Sequence, residues 1–217
     1  ADVVGGVPHL EDGDTRGPTE YLLQVATDHG AAVDLHTDET LDASVLGLVD
    51  LVEMTLAGFE HPVTASHCVS LGMLDAARQH EIAEMVAEAA VSVIALPHTN
   101  LFLQGRGHAP MPRGLTAVAA LREAGANVAA GADNLQDPFN PVGRACPFET
   151  AGLMIMTSHL RPDEAWASVS TNSALATGLA PTEVAPGSPA HLVAARADTL
   201  REAIAFGPRD RIVWRHG

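Results

Sequence analysis

The sequence of 217 residues contains no lysine, so all 12 of its basic side chains are arginines. The absence of lysine excludes Schiff-base catalysis, and it excludes a carbamylated lysine that bridges two metal ions within this stretch. Against 27 acidic residues, the arginines leave a net charge of −15. No basic stripe is present that could follow a phosphate backbone, so a nucleic-acid partner is not expected.

Cysteines and long apolar runs are also scarce. The only cysteines, Cys68 and Cys146, stand far apart and do not form the dense framework of a small disulfide-stapled domain. We therefore expect a reduced, cytoplasmic setting. No apolar run is long enough to span a bilayer, so a membrane partner is not expected. Hydrophobic residues still make up 47% of the chain, which is enough for a sizeable buried core.

Short β-branched runs alternate with helical patterns through the first part of the chain. Strands are predicted at 2–7, 32–35, 62–66, 91–96 and 127–130. Helices are predicted between them at 19–29, 41–59, 73–90 and 115–124, and further on at 147–159, 163–167 and 172–178. The Gly/Pro-rich stretch 97–114 is predicted to be a long loop that carries function. Strands that alternate with helices are typical of parallel βαβ units.

A histidine or an aspartate follows each of the five predicted strands. These residues are His9, His36, His67, His98 and Asp133, at separations of 27, 31, 31 and 35. One βα unit of an eight-stranded barrel takes about 30 residues, and the active site of such a barrel lies at the carboxyl ends of its strands. The pattern therefore predicts an α/β fold of the (β/α)8 TIM-barrel type, with a polar site at one end of the strands.

Three of these strand ends carry groups that are suited to hydrolysis. His36 offers a ring nitrogen to a divalent metal, and Glu39, three residues later, can carry a proton in the same pocket. His67 follows the third predicted strand, and Asp133 follows the fifth. Each motif alone also fits a purely structural role: a solvated loop, a histidine bonded to nearby backbone, or an Asx turn.

The order His-x-x-Glu, His, Asp at successive strand ends resembles the amidohydrolase superfamily, and its cytosine deaminase branch in particular. The resemblance runs through most of the chain. It includes ADVVGGVPH at 1–9, VDLHTDE at 33–39, VTASHC at 63–68, LQGR at 103–106, GADNLQDPFNPVG at 131–143 and GSPAHLVAARA at 187–197. The last of these is similar to the signature of the superfamily's small β-domain, with His191 at the usual acidic position.

The resemblance implies a role for each matched residue. His36, His67 and Asp133 are the candidate ligands of one divalent metal ion, zinc or iron. Glu39 is the candidate proton shuttle, His67 polarises the attacking water or the developing oxyanion, and Asp133 also acts as general base. Asn134 stands where the best-known cytosine deaminases have Asp, which is a local hint that the substrate is not plain cytosine.

Phe139 and His9 complete the candidate site as substrate contacts. Phe139 stands where those deaminases have Trp, and it would still offer an apolar wall to a flat ring. The implied reaction is hydrolytic deamination of cytosine or a related nucleobase-like ring, with release of ammonia. Two alternatives stay open: hydrolysis of a cyclic amide or an N-substituted aminotriazine by the same kind of site, and a non-catalytic or truncated relative.

The family begins its barrel with a His-x-His pair of metal ligands, and this sequence contains no such pair. We therefore expect the chain to be the C-terminal portion of a longer enzyme that contributes barrel strands four to eight. Residues 1–180 would form that part of the barrel. Residues 181–217 would form part of a small β-rich composite domain built from a strand, a helix and a strand. Members of the superfamily usually assemble, so a homo-oligomer is expected.

Overall fold

A computed structural model describes residues 2–10 and 13–215. In this part of the chain five strands form one parallel sheet in the order β1-β2-β3-β4-β5. The strands are β1 (Val3–Gly6), β2 (Ala32–Thr37), β3 (Val63–His67), β4 (Ser92–Ala95) and β5 (Val128–Ala130). Each lies where the alternating pattern predicted a strand, with shifts of a few residues at the ends.

Helices connect successive strands, as the βαβ pattern predicted. They are α1 (Arg16–His29), α2 (Gly47–Leu56), α3 (Ala76–Glu88), α4 (Pro97–Leu103) and α5 (Val118–Glu123), followed after β5 by α6 (Pro147–Ser158), α7 (Pro162–Ser168) and α8 (Thr171–Ala176). Single 3₁₀ turns stand at Pro8–Leu10 and Ser70–Met73. Within residues 2–10 and 13–215, no helix combines the length and the apolar character that crossing a membrane requires.

The middle strand, β3, is buried at all five of its positions. Burial on both faces is typical of a central parallel strand, and it explains why this run is not a simple alternation of polar and apolar residues. The apolar faces of α1, α2 and α3 pack onto the sheet through residues such as Leu23, Leu51 and Ile82. Each fully buried side chain of this size stabilises the fold by about 1.5–3 kcal/mol.

The parallel register brings the carboxyl ends of the strands to one edge of the sheet. Thr37 of β2 pairs with His67 of β3, and Ala95 of β4 pairs with Ala130 of β5. The polar residues at these strand ends, which are far apart in the sequence, therefore emerge side by side. The fold thus provides the edge at which a polar site was predicted.

The prediction of a loop over 97–114 is wrong for its first seven residues, which form α4. The helix begins directly after β4 with Pro97 in its first turn, where the fixed φ of proline favours helix and its missing N–H costs nothing. Thr99 and Asn100 on this helix are buried. Pro97 therefore marks the start of a helix, and the loop begins only after Leu103.

The predicted helix over 41–59 begins later, at Gly47, and ends at Leu56. Its start is set by Asp38, whose two carboxylate oxygens accept hydrogen bonds from the backbone N–H groups of Gly47 and Leu48, at 2.8 and 2.9 Å. The first N–H groups of a helix have no partner within it, so an acceptor at this point fixes where the helix begins. Burial raises the pKa of Asp38 to about 6, although these two bonds oppose the shift.

The C-terminal segment has the predicted order of strand, helix and strand. It consists of β6 (Leu192–Ala195), α9 (Leu200–Phe206) and β7 (Arg211–Trp214), and the two strands pair antiparallel. Ala203 and Ile204 of α9 belong to the same buried cluster as Phe148 of α6. A domain boundary between residues 180 and 181 stays a prediction, and the outer limits of the two predicted domains, residues 1 and 217, lie outside the described residues.

Replacing Asp38 with alanine should lower the free energy of unfolding by about 2 kcal/mol, because two buried N–H groups lose a charged acceptor. The matched control is Asp42→Ala, which removes an exposed carboxylate that accepts hydrogen bonds from the backbone N–H and the hydroxyl group of nearby Ser44. We expect the control to change stability by less than about 0.5 kcal/mol. Urea unfolding with unchanged slopes would measure both variants. Equal midpoints for the two variants would contradict this role of Asp38.

Candidate active site

Three ionisable side chains lie together at the carboxyl edge of β2 and β3. Ligand atoms of His36, Glu39 and His67 all lie within 4.8 Å of one another. Nε2 of His67 is 2.9 Å from Nδ1 of His36, and the two ring centroids are 4.9 Å apart. Nδ1 of His67 is 3.4 Å from Oε1 of Glu39. The structure therefore brings together two residues of the strand-end pattern, His36 and His67, and Glu39 of the His-x-x-Glu motif.

Asp133 reaches the same cluster from the end of β5. Its Oδ2 atom lies 3.9 Å from Nε2 of His67, and its side chain is 18% exposed. Both residues have left-handed backbone, with φ of 61° at Asp133 and 72° at His67. Such conformations cost a residue other than glycine of the order of 1–3 kcal/mol, and they concentrate at functional sites. Other residues, such as Asp38, Cys68 and Ala90, also have positive φ, so this conformation is not confined to the site.

The surroundings of the cluster shift the pKa values of Glu39 and His67 in opposite directions. Burial, and then the negative charge of Asp133, raise the pKa of Glu39 to about 7. Burial, and then the neighbouring His36, lower the pKa of His67 to about 3. His67 is therefore neutral at physiological pH, and its 3.4 Å contact with Glu39 is not an ion pair. A carboxyl group that titrates near neutrality can both take up and release a proton during catalysis.

Two amide side chains that the sequence reasoning missed support the cluster from α4. Nδ2 of Asn100, a residue with no exposed surface, lies 3.1 Å from Nδ1 of His67 and 3.4 Å from Oε1 of Glu39. Gln104, at the end of the helix, donates to the backbone carbonyl of Glu39 at 3.2 Å. The available signal for Asn100 was the polar run His98-Thr99-Asn100, which comes directly after a strand.

The predicted substrate contacts lie in different surroundings. Nδ1 of His9 is 3.1 Å from the carbonyl oxygen of His36, which places it beside the cluster, and burial lowers its pKa. Asn134 follows Asp133, but its Oδ1 accepts from Thr99 at 3.0 Å and its Nδ2 donates to Asp137 at 2.8 Å.

Both amide atoms of Asn134 are thus bonded within the protein. Phe139 is 54% exposed, and its backbone N–H donates to Oδ1 of Asp137 at 2.9 Å. A substrate contact by Asn134 would have to replace or share one of its bonds, so its role and that of Phe139 stay predictions.

His98, at the end of β4, does not join the group formed by His36, Glu39 and His67. Its side chain is 7% exposed, and its Nε2 lies 3.6 Å from Oε2 of Glu149 on α6. Burial lowers its pKa, which opposes a full ion pair with that carboxylate. His98, one of the five strand-end residues in the sequence pattern, therefore contributes to the packing of α4 against α6 and not to the cluster.

The donor atoms at the cluster fit a divalent metal ion. Two imidazole nitrogens and carboxylate oxygens are the ligands that zinc and iron take in proteins. His36 and His67 supply the nitrogens, and Glu39 supplies the oxygen of the group whose atoms lie within 4.8 Å of one another. The carboxylate of Asp133 stands at the rim of this group, as its distance from His67 shows.

A sequence profile of the Amidohydrolase family matches residues 1–217. The chain belongs to this family. Its five parallel strands and the His/Glu/Asp cluster at their carboxyl ends agree with that membership.

Relatives with named activities are similar to the whole chain. A pterin deaminase from Rhizobium rhizogenes is 35% identical over 221 residues, which cover 99% of this chain and 50% of the relative. A 5-methylcytosine deaminase from Klebsiella pneumoniae has 33% identity and a TM-score of 0.89, over 100% of this chain and 55% of that structure. An N-isopropylammelide isopropylaminohydrolase from Burkholderia multivorans has 29% identity and a TM-score of 0.76, over 96% and 52%. The chain thus spans about half the length of these relatives.

In the metal-free protein, Asp133→Asn should lower the pKa of Glu39 from about 7, because it removes the nearby negative charge and leaves the burial in place. Carbon-detected NMR of the Glu39 carboxyl group would follow the titration. Asp137→Asn is the matched control, since Asp137 bonds to Asn134 and is not among the charges that shift Glu39.

The same shift has a consequence for stability. Glu39 has a higher pKa in the folded than in the unfolded state, so its contribution is full below the unfolded value of 4.5 and is lost as pH rises through about 7. Asp133→Asn should weaken this loss of stability between those pH values. An unchanged Glu39 titration in Asp133→Asn would contradict the coupling between the two carboxyl groups.

Proposed function

We propose that the protein is a metal-dependent hydrolytic deaminase that acts on an amino-substituted nitrogen heterocycle. The observation that carries the proposal is the cluster of His36, Glu39 and His67 with Asp133 at its rim. It joins a carboxyl group that titrates near neutral pH to a buried, neutral imidazole and to metal-ligand donors. The likeness to a pterin deaminase and to a 5-methylcytosine deaminase supports this type of reaction.

We also propose the architecture that goes with this function. Strands β1–β5 correspond to strands four to eight of a (β/α)8 barrel, within a first domain over 1–180. Residues 181–217 contribute to a small β-rich domain. The parallel order of the five strands and the separate antiparallel pair β6–β7 support this assignment. In such barrels catalytic groups come from the ends of several strands, as they do here.

His36 and Asp133 are the proposed metal ligands of this chain. His67, which the resemblance also gives as a candidate ligand, has its Nε2 atom 2.9 Å from Nδ1 of His36 and 3.9 Å from Oδ2 of Asp133. The chemistry that zinc or iron supplies in such sites is the activation of water for attack at neutral pH. Glu39 takes the proton that the attacking water gives up, and it passes that proton to a ring nitrogen of the substrate. His67 donates a hydrogen bond to the oxygen at the attacked carbon. Asp133, as general base, takes the remaining proton of that hydroxyl group and passes it to the amino group, so the C–N bond breaks, ammonia leaves and the ring carbonyl forms.

The substrate class is the finer part of the proposal. A flat heterocycle with an exocyclic amino group, other than plain cytosine, is favoured, because Asn134 replaces the Asp of well-known cytosine deaminases. Pterin and 5-methylcytosine are the first compounds to test, since proteins named for them are similar to this chain. An N-alkylaminotriazine is the second candidate class, and the likeness to an N-isopropylammelide isopropylaminohydrolase favours it. A non-catalytic chain is opposed by the position of Glu39 and Asp133 on either side of His67.

The test is ammonia release by the natural protein, supplied with zinc or iron, from pterin, 5-methylcytosine, cytosine and isocytosine. N-isopropylammelide is tested in parallel for release of its alkylamine. We expect one amino heterocycle to be deaminated. The variant Glu39→Gln should lower the rate by about 10²–10⁴-fold, because it removes the proton carrier.

Glu60→Gln is the matched control, since Glu60 is exposed and lies outside the cluster, and its rate should equal that of the unchanged protein. Release of alkylamine alone would replace the first substrate class by the second. Absence of any product with metal bound, or a Glu39→Gln rate equal to that of Glu60→Gln, would overturn the proposed function.

A further inference from the structure

Asn100 is a buried amide that the mechanism above does not use. It lies on α4, it has no exposed surface, and its Nδ2 atom touches both Glu39 and His67. Its Oδ1 atom is buried without a hydrogen-bond partner among the residues that the structure describes. A buried acceptor that lacks a partner destabilises a protein, and such groups concentrate where function requires them. The arrangement therefore points to a role for the NH₂ group of this amide.

The NH₂ end of the Asn100 amide faces the cluster. Its Nδ2 atom donates to Oε1 of Glu39 at 3.4 Å, and an amide NH₂ group only donates hydrogen bonds. With the amide in this orientation, the same NH₂ group lies 3.1 Å from Nδ1 of His67 and can only donate to it. Nδ1 of His67 therefore accepts, and an accepting ring nitrogen carries no proton.

The proton of neutral His67 must then reside on Nε2, because a neutral imidazole carries one N–H. This nitrogen faces the cluster, at 2.9 Å from Nδ1 of His36 and 3.9 Å from Oδ2 of Asp133. We propose that Asn100 is a positioning residue that holds His67 in the Nε2–H tautomer, so that His67 donates a hydrogen bond to the reacting oxygen instead of binding the metal. The catalytic consequence rests on the proposed deaminase function, whereas the tautomer is a property of the protein itself.

Nitrogen-15 NMR of the imidazole groups in the metal-free protein reads the tautomer directly. The signals of His67 are assigned by their loss in His67→Gln. In the unchanged protein we expect Nε2 to be the protonated nitrogen and Nδ1 the unprotonated one. Protonation of Nδ1 would overturn the proposal without the need for any Asn100 variant.

Two variants test whether Asn100 sets this state. Asn100→Asp places an acceptor against Nδ1 and should move the proton to that nitrogen, whereas Asn100→Leu removes the donor and should leave a mixture of tautomers. The matched control is Asn127→Asp, which changes another amide that donates two hydrogen bonds, to Ser92 and to the carbonyl of Asn172, away from the cluster. The control should leave the His67 signals unchanged. The same signals in all three variants would overturn the role of Asn100.

Kinetics with the heterocycle that yields most ammonia separate this proposal from the proposed function. Asn100→Leu should lower kcat by about 10–100-fold, with KM changed less than kcat, because the substrate is still bound but the hydrogen bond to the reacting oxygen is lost. An unchanged kcat together with an Nε2–H tautomer in the variant would overturn the positioning role. If no heterocycle is deaminated while the tautomer responds to Asn100 as expected, the deaminase proposal fails and the assignment of Asn100 stands.

Discussion

The burial of His67 at the end of the central strand is the constraint on which the rest of the site depends. Its side chain is 1% exposed, and its ring contacts side chains that arrive from β2, from α4 and from the loop after β5. A buried imidazole must satisfy both ring nitrogens, and here the surrounding polar groups do so. Packing these groups around one ring places them within reach of a single ligand. The same burial keeps the ring neutral, which makes it a specific donor or acceptor instead of a charge.

The elements around His67 are held by bonds that have no catalytic task. Asp38 fixes the start of α2, and its backbone carbonyl also accepts from the N–H of Val69 at 2.9 Å, so it ties the segment after β2 to the segment after β3. Glu39 is the next residue, and Gln104 holds its carbonyl from the other side. The peptide groups on both sides of Glu39 are therefore held by hydrogen bonds, through the carbonyl of Asp38 and the carbonyl of Glu39 itself. A fixed position for Glu39 matters because proton transfer requires its oxygen within hydrogen-bond reach of water and substrate.

The five strands and the residues at their ends could be predicted from the sequence, because strand length and a repeat of about 30 residues are local and periodic signals. This reasoning identified His36, His67 and Asp133, and the resemblance to the amidohydrolase superfamily that it led to is confirmed.

What could not be predicted depends on contacts between segments distant in sequence. The delayed start of α2 follows from Asp38, 9 residues earlier, and the role of Asn100 follows from two residues that precede it by 33 and 61 positions. The segment 97–103 was predicted to be loop because proline and glycine punctuate this part of the chain, but proline in the first turn of a helix starts that helix. His98 matched the strand-end pattern and yet packs against Glu149, because a histidine at a strand end can be buried by a neighbouring helix.

The most direct test of the central claim is an anomalous-diffraction structure of the protein crystallised with zinc or iron. The account predicts one metal peak at the carboxyl edge of β2 and β5, with a nitrogen of His36 at about 2.0–2.1 Å and an oxygen of Asp133 at about 2.0–2.2 Å from the ion. It also predicts that Glu39 and His67 border the peak. A metal peak bound elsewhere in the fold, or none at this edge at saturating metal, would contradict the claim that these strand ends form one metal-dependent hydrolytic site.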